Sequence, residues 1–156
     1  MAKSLSNSLL GAAGEHLVLS RLLSRGVLAS AAPPGFEAVD ILVQPLSPSG
    51  PRTVQVKATL SSEKIGWWLS EKHERISDPG LIYCFVTLAP TSQIVYVIPA
   101  PVVAQAITTD HRGWLSRPGT QGQRRKDTAG RKLRASMFDW PENWLEQYRE
   151  NWDCFL

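Results

Sequence analysis

An acidic residue lies among apolar residues in the first segment of the sequence, where burying a carboxylate is costly. Residues 6–26 have the periodicity of one amphipathic helix, with Gly26 as its terminator. At about 100° per residue, four small or apolar residues fall within about 60° of Glu15: Gly11, Val18, Leu19 and Leu22. A carboxylate in the middle of such a stripe needs a cation, a hydrogen-bonding partner or a metal ion. A core lysine or arginine would also satisfy it, so Glu15 alone leaves both roles open.

Polar side chains also interrupt two strand-like segments further along the chain. Asp40 interrupts the apolar run 38–43, and Gln55 and Lys57 share one face of a predicted strand over 53–58. The residues that alternate with them share the apolar face: Val54, Val56 and Ala58. An edge strand can carry such a polar face without any chemistry. The neighbouring Asp40 and the helical Glu15, however, would bring two carboxylates, an amide oxygen and an ammonium group together.

This combination of groups is typical of metal-assisted phosphodiester hydrolysis. Mg²⁺ or Mn²⁺ takes oxygen ligands, so Asp40 is the expected central ligand. The side-chain oxygen of Gln55 and the main-chain carbonyl of Val56 can add further oxygens. The metal would stabilise negative charge and lower the pKa of a bound water. Lys57 is expected to hold the attacking water, and Glu15 to bind a metal-ligated water or a second ion.

The elements that must position these residues follow from hydrophobic patterning and turn signals. A Pro/Ser/Gly-rich turn over 45–51 separates the two strands. The other predicted elements are a short apolar piece at 27–32, a hairpin-like pair at 81–88 and 93–98, a helix over 101–108 and an acidic helix over 141–152. The last of these places four aromatic residues on one stripe: Trp140, Trp144, Tyr148 and Trp152. The order predicts a single domain over 1–156, an α/β sandwich with a mixed central sheet flanked by helices.

Positive charge is concentrated in one part of the sequence. Eight basic residues against Asp110 and Asp127 give the segment 110–136 a charge of +6, and the total of +3 leaves −3 for the remainder. This distribution is typical of a protein that binds a phosphate backbone, although a solvated loop would also produce it. The side chains that we expect to contact nucleic acid are Lys72, His73, His111, Arg124, Arg125, Lys126, Arg131 and Lys132. Trp67 and Trp68 could stack on unpaired bases, but packing is the interpretation we favour.

Composition excludes several other classes of protein. The 156 residues are 43% hydrophobic and 20% charged, which is ordinary for a globular domain. The sequence lacks an apolar run long enough to span a membrane, and its first residues do not read as a secretory signal. Cys84 and Cys154 make neither a disulfide framework nor a zinc site. These features favour a cytoplasmic protein with incidental thiols.

At the residues that carry this chemistry, the sequence resembles the core of the PD-(D/E)XK nucleases. The matching segments are Gly14-Glu15, Leu22-Leu23-Ser24-Arg25-Gly26, Val39-Asp40-Ile41 and Gln55-Val56-Lys57. Holliday-junction resolvases and many restriction endonucleases are similar, and the resemblance covers roughly residues 8–60. It implies a restriction-endonuclease-like sandwich and a metal-dependent endonuclease that cuts DNA in restriction, repair or junction processing. A homodimer is one possible assembly.

Two positions depart from the pattern of these nucleases. Val39 replaces the proline before the aspartate, and Gln55 stands where most members have glutamate or aspartate. The Gln-x-Lys variant resembles that of some modification-dependent restriction nucleases, but it removes one negative charge from the metal site. Gln55 and the modest net charge therefore keep a second hypothesis open, a nuclease-like fold that binds nucleic acid without cutting it. A third is a structural subunit that packs through its tryptophan-rich C-terminal segment.

Overall fold

The computed structural model describes residues 5–44, 50–60 and 66–156. The predicted turn over 45–51 therefore lies mostly outside the described residues. In the described part of the chain, no helix is both long enough and apolar enough to cross a membrane.

The first element is helix α1, Asn7–Leu23, which confirms the helix predicted from the amphipathic pattern. The Ser6 hydroxyl accepts a hydrogen bond from the N–H of Leu9 at 3.3 Å, which satisfies one of the free donors of the first turn. After the helix, Gly26 adopts a left-handed φ of 77° that favours glycine. The chain can therefore turn directly from α1 into the first strand.

The strands follow in the order β1 Leu28–Ala31, β2 Ile41–Gln44, β3 Arg52–Thr59, β4 Gly66–Ser70, β5 Leu81–Ala89, β6 Ser92–Pro99 and β7 Gly130–Arg134. Five of them form a mixed sheet in the order β1-β2-β3-β5-β6. In this sheet β3 and β5 run parallel, whereas the other neighbouring pairs are antiparallel. Strands β4 and β7 pair as a separate antiparallel sheet, and helix α2, Ala100–Ser116, follows β6. The predicted mixed sheet flanked by helices is confirmed.

The two faces of the main sheet bury two separate hydrophobic clusters. On one face, Val54 and Val56 of β3 pack with residues of α1. On the other, Tyr83 and Phe85 of β5 pack with residues of α2, β4 and β7. Because side chains alternate along a strand, the polar pair of β3 lies on this second face, beside Tyr83 and Phe85 in the parallel register.

Helix α1 approaches β3 closely because it carries a glycine at the contact. A Cβ atom at Gly14 would lie 2.8 Å from the Cβ of Ala58, closer than side chains normally pack. Gly14, Val18 and Leu22 are the buried residues of the helix, spaced four apart. The buried stripe therefore runs through Gly14, Val18 and Leu22, and Glu15, which has intermediate burial, lies beside it.

The C-terminal segment contradicts the predicted helix over 141–152. It forms turns and two short 3-10 helices, Glu146–Tyr148 and Asp153–Phe155. Asn143 and Glu150 have positive φ values of 54° and 47°, which are incompatible with a continuous α-helix. The N–H of Glu150 donates to the carbonyl of Val95 at 2.8 Å, so the segment covers the edge strand β6.

The four aromatic residues of this segment consequently do not form one helical stripe. Trp144 is buried in the cluster on the α2 face of the sheet, whereas Trp152 is buried in the cluster on the α1 face. Trp140 and Tyr148 pack against the α2-face cluster, and both meet Trp144 edge-on. Packing against both faces of the sheet therefore decides the conformation of this segment and overrides the helical spacing of its aromatic residues.

The basic segment 110–136 is not a single solvated loop, because two parts of it have regular secondary structure. Helix α2 was predicted to end near residue 108 but continues to Ser116. Strand β7 occupies the other end of the segment and pairs with β4. The residues between these two elements form a loop, so the positive charge is distributed over a helix, a loop and a strand.

Candidate active site

Asp40 is fixed at the point where β2 begins to pair with β3. Its N–H donates to the carbonyl of Val54 at 2.8 Å, and its Oδ2 accepts from the N–H of Val56 at 2.6 Å. The N–H and C=O of one strand residue point to the same side of the strand. The Val56 carbonyl therefore faces the side of β3 on which Asp40 lies, as its assignment as an oxygen ligand requires.

The side chain of Gln55 is buried, with 4% of its surface exposed, and only one end of its amide is satisfied. Its Nε2 donates a long hydrogen bond of 3.4 Å to the carbonyl of Glu37, which orients the amide. Its Oε1 is buried without a hydrogen-bonding partner among the described residues. A buried carbonyl oxygen without a donor costs roughly 1–3 kcal/mol, and a cation at that oxygen would remove the penalty.

Lys57 lies two residues further along the same face of β3. Burial lowers the pKa of its ammonium group, and nearby Lys72 lowers it further, whereas Asp40 and Glu15 act in the opposite direction. The ammonium group thus lies within electrostatic reach of both predicted carboxylates. The structure thus places residues of α1, of β3 and of the position before β2 near one another.

Glu15 differs from its prediction in degree of burial. It is half-buried at the margin of the α1 stripe, because Gly14 makes the close contact with the sheet. Desolvation raises the pKa of its carboxyl group, and the negative charge of Asp40 raises it further. A carboxylate whose pKa is raised by burial and by a neighbouring negative charge favours a bound proton or a bound cation.

The residues present fit a hard divalent cation. The candidate ligands are the carboxylates of Asp40 and Glu15, the buried Oε1 of Gln55 and the carbonyl of Val56, all oxygen atoms of the kind that Mg²⁺ prefers. Among the described residues, no three histidine, cysteine, aspartate or glutamate side chains are grouped so that they could hold a metal. The fit therefore depends on the amide of Gln55 in place of a third carboxylate.

A histidine and a tyrosine extend this cluster on the second face of the sheet. His73, 4% exposed, shares a hydrogen bond of 2.7 Å between its Nδ1 and the Tyr83 hydroxyl, and Tyr83 is the β5 neighbour of Gln55. Burial, aided by Lys57 and Lys72, lowers the pKa of His73 to about 4. Burial raises the pKa of Tyr83 to about 12. Sequence reasoning missed Tyr83, whose one polar atom in an otherwise apolar strand is a weak signal.

His73 was predicted as a nucleic-acid contact, and so was its neighbour Lys72. The structure places them differently, because Lys72 is exposed beside the cluster whereas His73 is buried under it. Both belong to the 3-10 segment Glu71–Arg75. A buried, neutral imidazole is a poor partner for a phosphate. We therefore assign His73 to the support of the site and keep Lys72 as a possible phosphate contact.

Two of the predicted contacts in the basic segment are engaged within the protein. Arg131 is 6% exposed, pairs with Glu74 and donates to the carbonyl of Gly130 at 2.9 Å. His111 is also buried, and its Nε2 donates to Asp127 at 2.6 Å. These interactions join β7, the loop and α2 to the rest of the fold. Neither side chain is free to reach a phosphate.

The remaining predicted cations are more accessible. Arg124 and Lys126 are exposed on the loop after α2. Arg125 lies over the ring of Trp114, with its guanidinium carbon 4.8 Å from the ring centroid. Lys132 lies over the ring of Trp68 at 5.1 Å. A phosphate backbone could reach these four cations.

The sheet order, the flanking helices and the placement of the polar cluster define a restriction-endonuclease-like fold. A solved bacterial homing endonuclease is similar, with a TM-score of 0.58 and 17% identity over 96% of this chain and 90% of that chain. A Holliday junction resolvase from Archaeoglobus fulgidus has a TM-score of 0.48 and 15% identity over 82% of this chain and 86% of that chain. No protein-family model and no curated protein matches the sequence.

Proposed function

We propose that this chain is a Mg²⁺-dependent endonuclease that hydrolyses phosphodiester bonds of DNA. The observation that carries the proposal is the buried Oε1 of Gln55, which has no hydrogen-bonding partner among the described residues. Gln55 adjoins Val56, whose N–H holds Asp40. A polar atom left without a donor in this position is explained by a cation that binds there. The similarity of the fold to a homing endonuclease supports DNA as the substrate.

Each residue of the cluster has a role that follows from its contacts. The N–H of Val56 holds one carboxylate oxygen of Asp40, which leaves the other oxygen for a cation. The Gln55 side chain and the Val56 carbonyl would add neutral oxygen ligands. Bound Mg²⁺ would supply charge stabilisation at the phosphate and lower the pKa of a water molecule.

The remaining two residues handle the water and the developing charge. The ammonium group of Lys57 can donate a hydrogen bond to the attacking water and to a non-bridging phosphate oxygen, whose charge grows as water adds to phosphorus. Glu15, with its raised pKa, is suited to take the proton that the water loses. The bond from phosphorus to one sugar oxygen then breaks, and that oxygen takes up a proton from solvent.

A cleavage assay with charge-removing variants tests the proposal. Supercoiled, linear, single-stranded and four-way-junction DNA would be incubated with Mg²⁺, Mn²⁺ or EDTA. Asp40→Asn keeps an acceptor for the Val56 N–H but removes the charge, and Lys57→Met removes the ammonium group. Each should reduce metal-dependent cleavage by at least about 100-fold while DNA binding is retained.

The matched control is Asp153→Asn, the same chemical change at an exposed residue near the C-terminus. It should cut at the wild-type rate. If Asp40→Asn and Lys57→Met also cut at that rate, the observed cleavage arises elsewhere and the proposed site is wrong.

One observation favours a second function, a binding module that does not cut. Gln55 is neutral, so the described cluster has two carboxylates where most similar nucleases have three. Salt-sensitive DNA binding without cleavage in Mg²⁺ or Mn²⁺ would support this function. The measurement of cleavage decides between the two.

A further inference from the structure

A pocket of about 260 Å³ lies away from the carboxylate cluster, between α2, β4 and β7. Its walls include two tryptophans, Trp68 of β4 and Trp114 of α2, and three residues of β7: Arg131, Lys132 and Arg134. Pockets for drug-sized molecules have volumes of roughly 300–1,000 Å³. A pocket slightly below that range suits one planar group of the size of a nucleobase.

The two tryptophans of the pocket are not needed for the hydrophobic clusters. Trp68 is 71% exposed, whereas its neighbour Trp67 is 2% exposed and packs among aromatic residues. Trp114 is half-buried and stacks on His111, with ring centroids 5.6 Å apart and planes 22° apart. The pocket therefore presents indole surfaces that an aromatic ligand can contact.

Each indole also has a cation beside it. Lys132 lies over Trp68, and Arg125 lies over Trp114 and donates to its carbonyl at 3.1 Å. In the described part of the chain, no carboxylate lies within ion-pairing distance of either cation.

The other two cations of the pocket are already neutralised. Arg134 pairs with Asp110 at 3.0 Å, and Arg131 pairs with Glu74. The unpaired positive charge is thus located at the aromatic rings. This combination of stacking surfaces and cations matches a base and its flanking phosphates.

We propose that this pocket binds an unpaired nucleobase of the DNA substrate, with Trp68 and Trp114 as stacking surfaces and Lys132 and Arg125 beside the phosphates. The identity of the ligand rests on the proposed function, because a DNA-cutting enzyme is what brings a base to this surface. With this pocket, the enzyme should bind DNA that has unpaired or extruded bases more tightly than continuous duplex DNA.

The pocket is joined to the carboxylate cluster by a chain of contacts. Arg131 lines the pocket and pairs with Glu74, which is adjacent to His73 in the 3-10 segment. His73 in turn is hydrogen-bonded to Tyr83, the strand neighbour of Gln55. A base held in the pocket would therefore fix the position of the backbone relative to the cutting residues.

Binding of single-stranded DNA in EDTA tests the pocket without any cleavage. The probes are a dT oligonucleotide, the same backbone with abasic sites in place of the bases, and thymidine monophosphate. Base stacking on one aromatic side chain contributes roughly 1–3 kcal/mol, so Trp68→Ala should weaken binding of the dT oligonucleotide about 5- to 150-fold. Binding of the abasic backbone should change less than about twofold, because it offers only phosphates.

Three further variants control for loss of fold and for charge. Trp68→Phe retains a stacking surface and should restore most of the affinity. Phe36→Ala removes another exposed aromatic residue, 64% exposed, and should bind both oligonucleotides as wild type does. Lys132→Ala should weaken the binding of both oligonucleotides. It should also reduce the number of counterions released on binding by about one, which is measured as a shallower salt dependence of the affinity. Thermal unfolding checks that each variant is folded.

The outcomes separate this inference from the proposed function. Equal weakening of the dT and abasic oligonucleotides by Trp68→Ala, or no weakening, overturns the pocket even if the protein cuts DNA. Base-dependent binding that Trp68→Ala removes upholds the pocket even if no DNA is cut. Tight binding of thymidine monophosphate alone, without any gain from the oligonucleotide, would identify a free-nucleotide site and overturn the assignment to DNA.

Discussion

The buried pair of His73 and Tyr83 makes the stability of the protein depend on pH in a calculable way. The pKa of His73 falls from 6.5 to about 4 in the folded state, with burial as its main cause. Between these two values the unfolded chain binds a proton that the folded chain excludes. The free energy of unfolding therefore decreases as the pH falls below 6.5 and is fully retained above it.

The size of the effect follows from the shift. Each pKa unit corresponds to about 1.4 kcal/mol, so the loss approaches about 3 kcal/mol near pH 4 and is about 2 kcal/mol at pH 5. Most domains are stable by only about 5–15 kcal/mol, so this single group is a substantial part of the total. The burial of the imidazole, 4% exposed, keeps solvent from screening the effect.

The assay is urea unfolding of wild type and His73→Gln at several pH values from 8 to 4. The amide of glutamine can still hydrogen-bond to the Tyr83 hydroxyl but does not titrate in this range. The difference between the two unfolding free energies should therefore shift by about 2 kcal/mol in favour of the variant between pH 8 and pH 5. His16→Gln, which removes an exposed histidine of α1, is the matched control and should remain parallel to wild type.

An NMR titration of the imidazole gives an independent measurement of the same quantity. Parallel unfolding curves for wild type and His73→Gln, together with a His73 that titrates near 6.5, would refute the reasoning. That result would show that the His73 imidazole is solvated, and it would restore the sequence-based prediction that His73 contacts a phosphate.

The remaining predictions concern the metal site and the helix that approaches it. Gln55→Glu adds a third carboxylate to the cluster, so it should lower the melting temperature in EDTA and enlarge the rise caused by Mg²⁺. A Mg²⁺-induced rise no larger than that of wild type would argue against a metal at residue 55. Gly14→Ala introduces a Cβ 2.8 Å from Ala58, whereas Gly11→Ala, on the same helix, meets nothing within 4 Å. The two variants have the same change in helix propensity, so thermal unfolding should show Gly14→Ala to be less stable than Gly11→Ala by about 1–3 kcal/mol. Equal stabilities of the two variants would contradict the close approach of α1 to β3.

The local sequence was sufficient for the elements that carry the site. The amphipathic pattern before Gly26 predicted α1, and alternation around Gln55 predicted a strand with Lys57 on the same face. These predictions succeed because helix and strand periods are properties of neighbouring residues. The same patterns failed at the C-terminus, where steps of four among aromatic residues predicted a helix that the positive φ of Asn143 and Glu150 excludes.

Only the tertiary structure decided which polar groups are satisfied. The sequence placed an amide at Gln55 and a basic residue at Arg131. It could not show that the amide oxygen lacks a partner among the described residues whereas Arg131 has several. It ranked Trp68 as packing, whereas the fold leaves it 71% exposed beneath Lys132. Residue types and their periodicity determined the fold class and the candidate chemistry of this protein. Burial, partners and the meeting of distant segments depend on contacts between residues far apart in the chain, and no local pattern contains them.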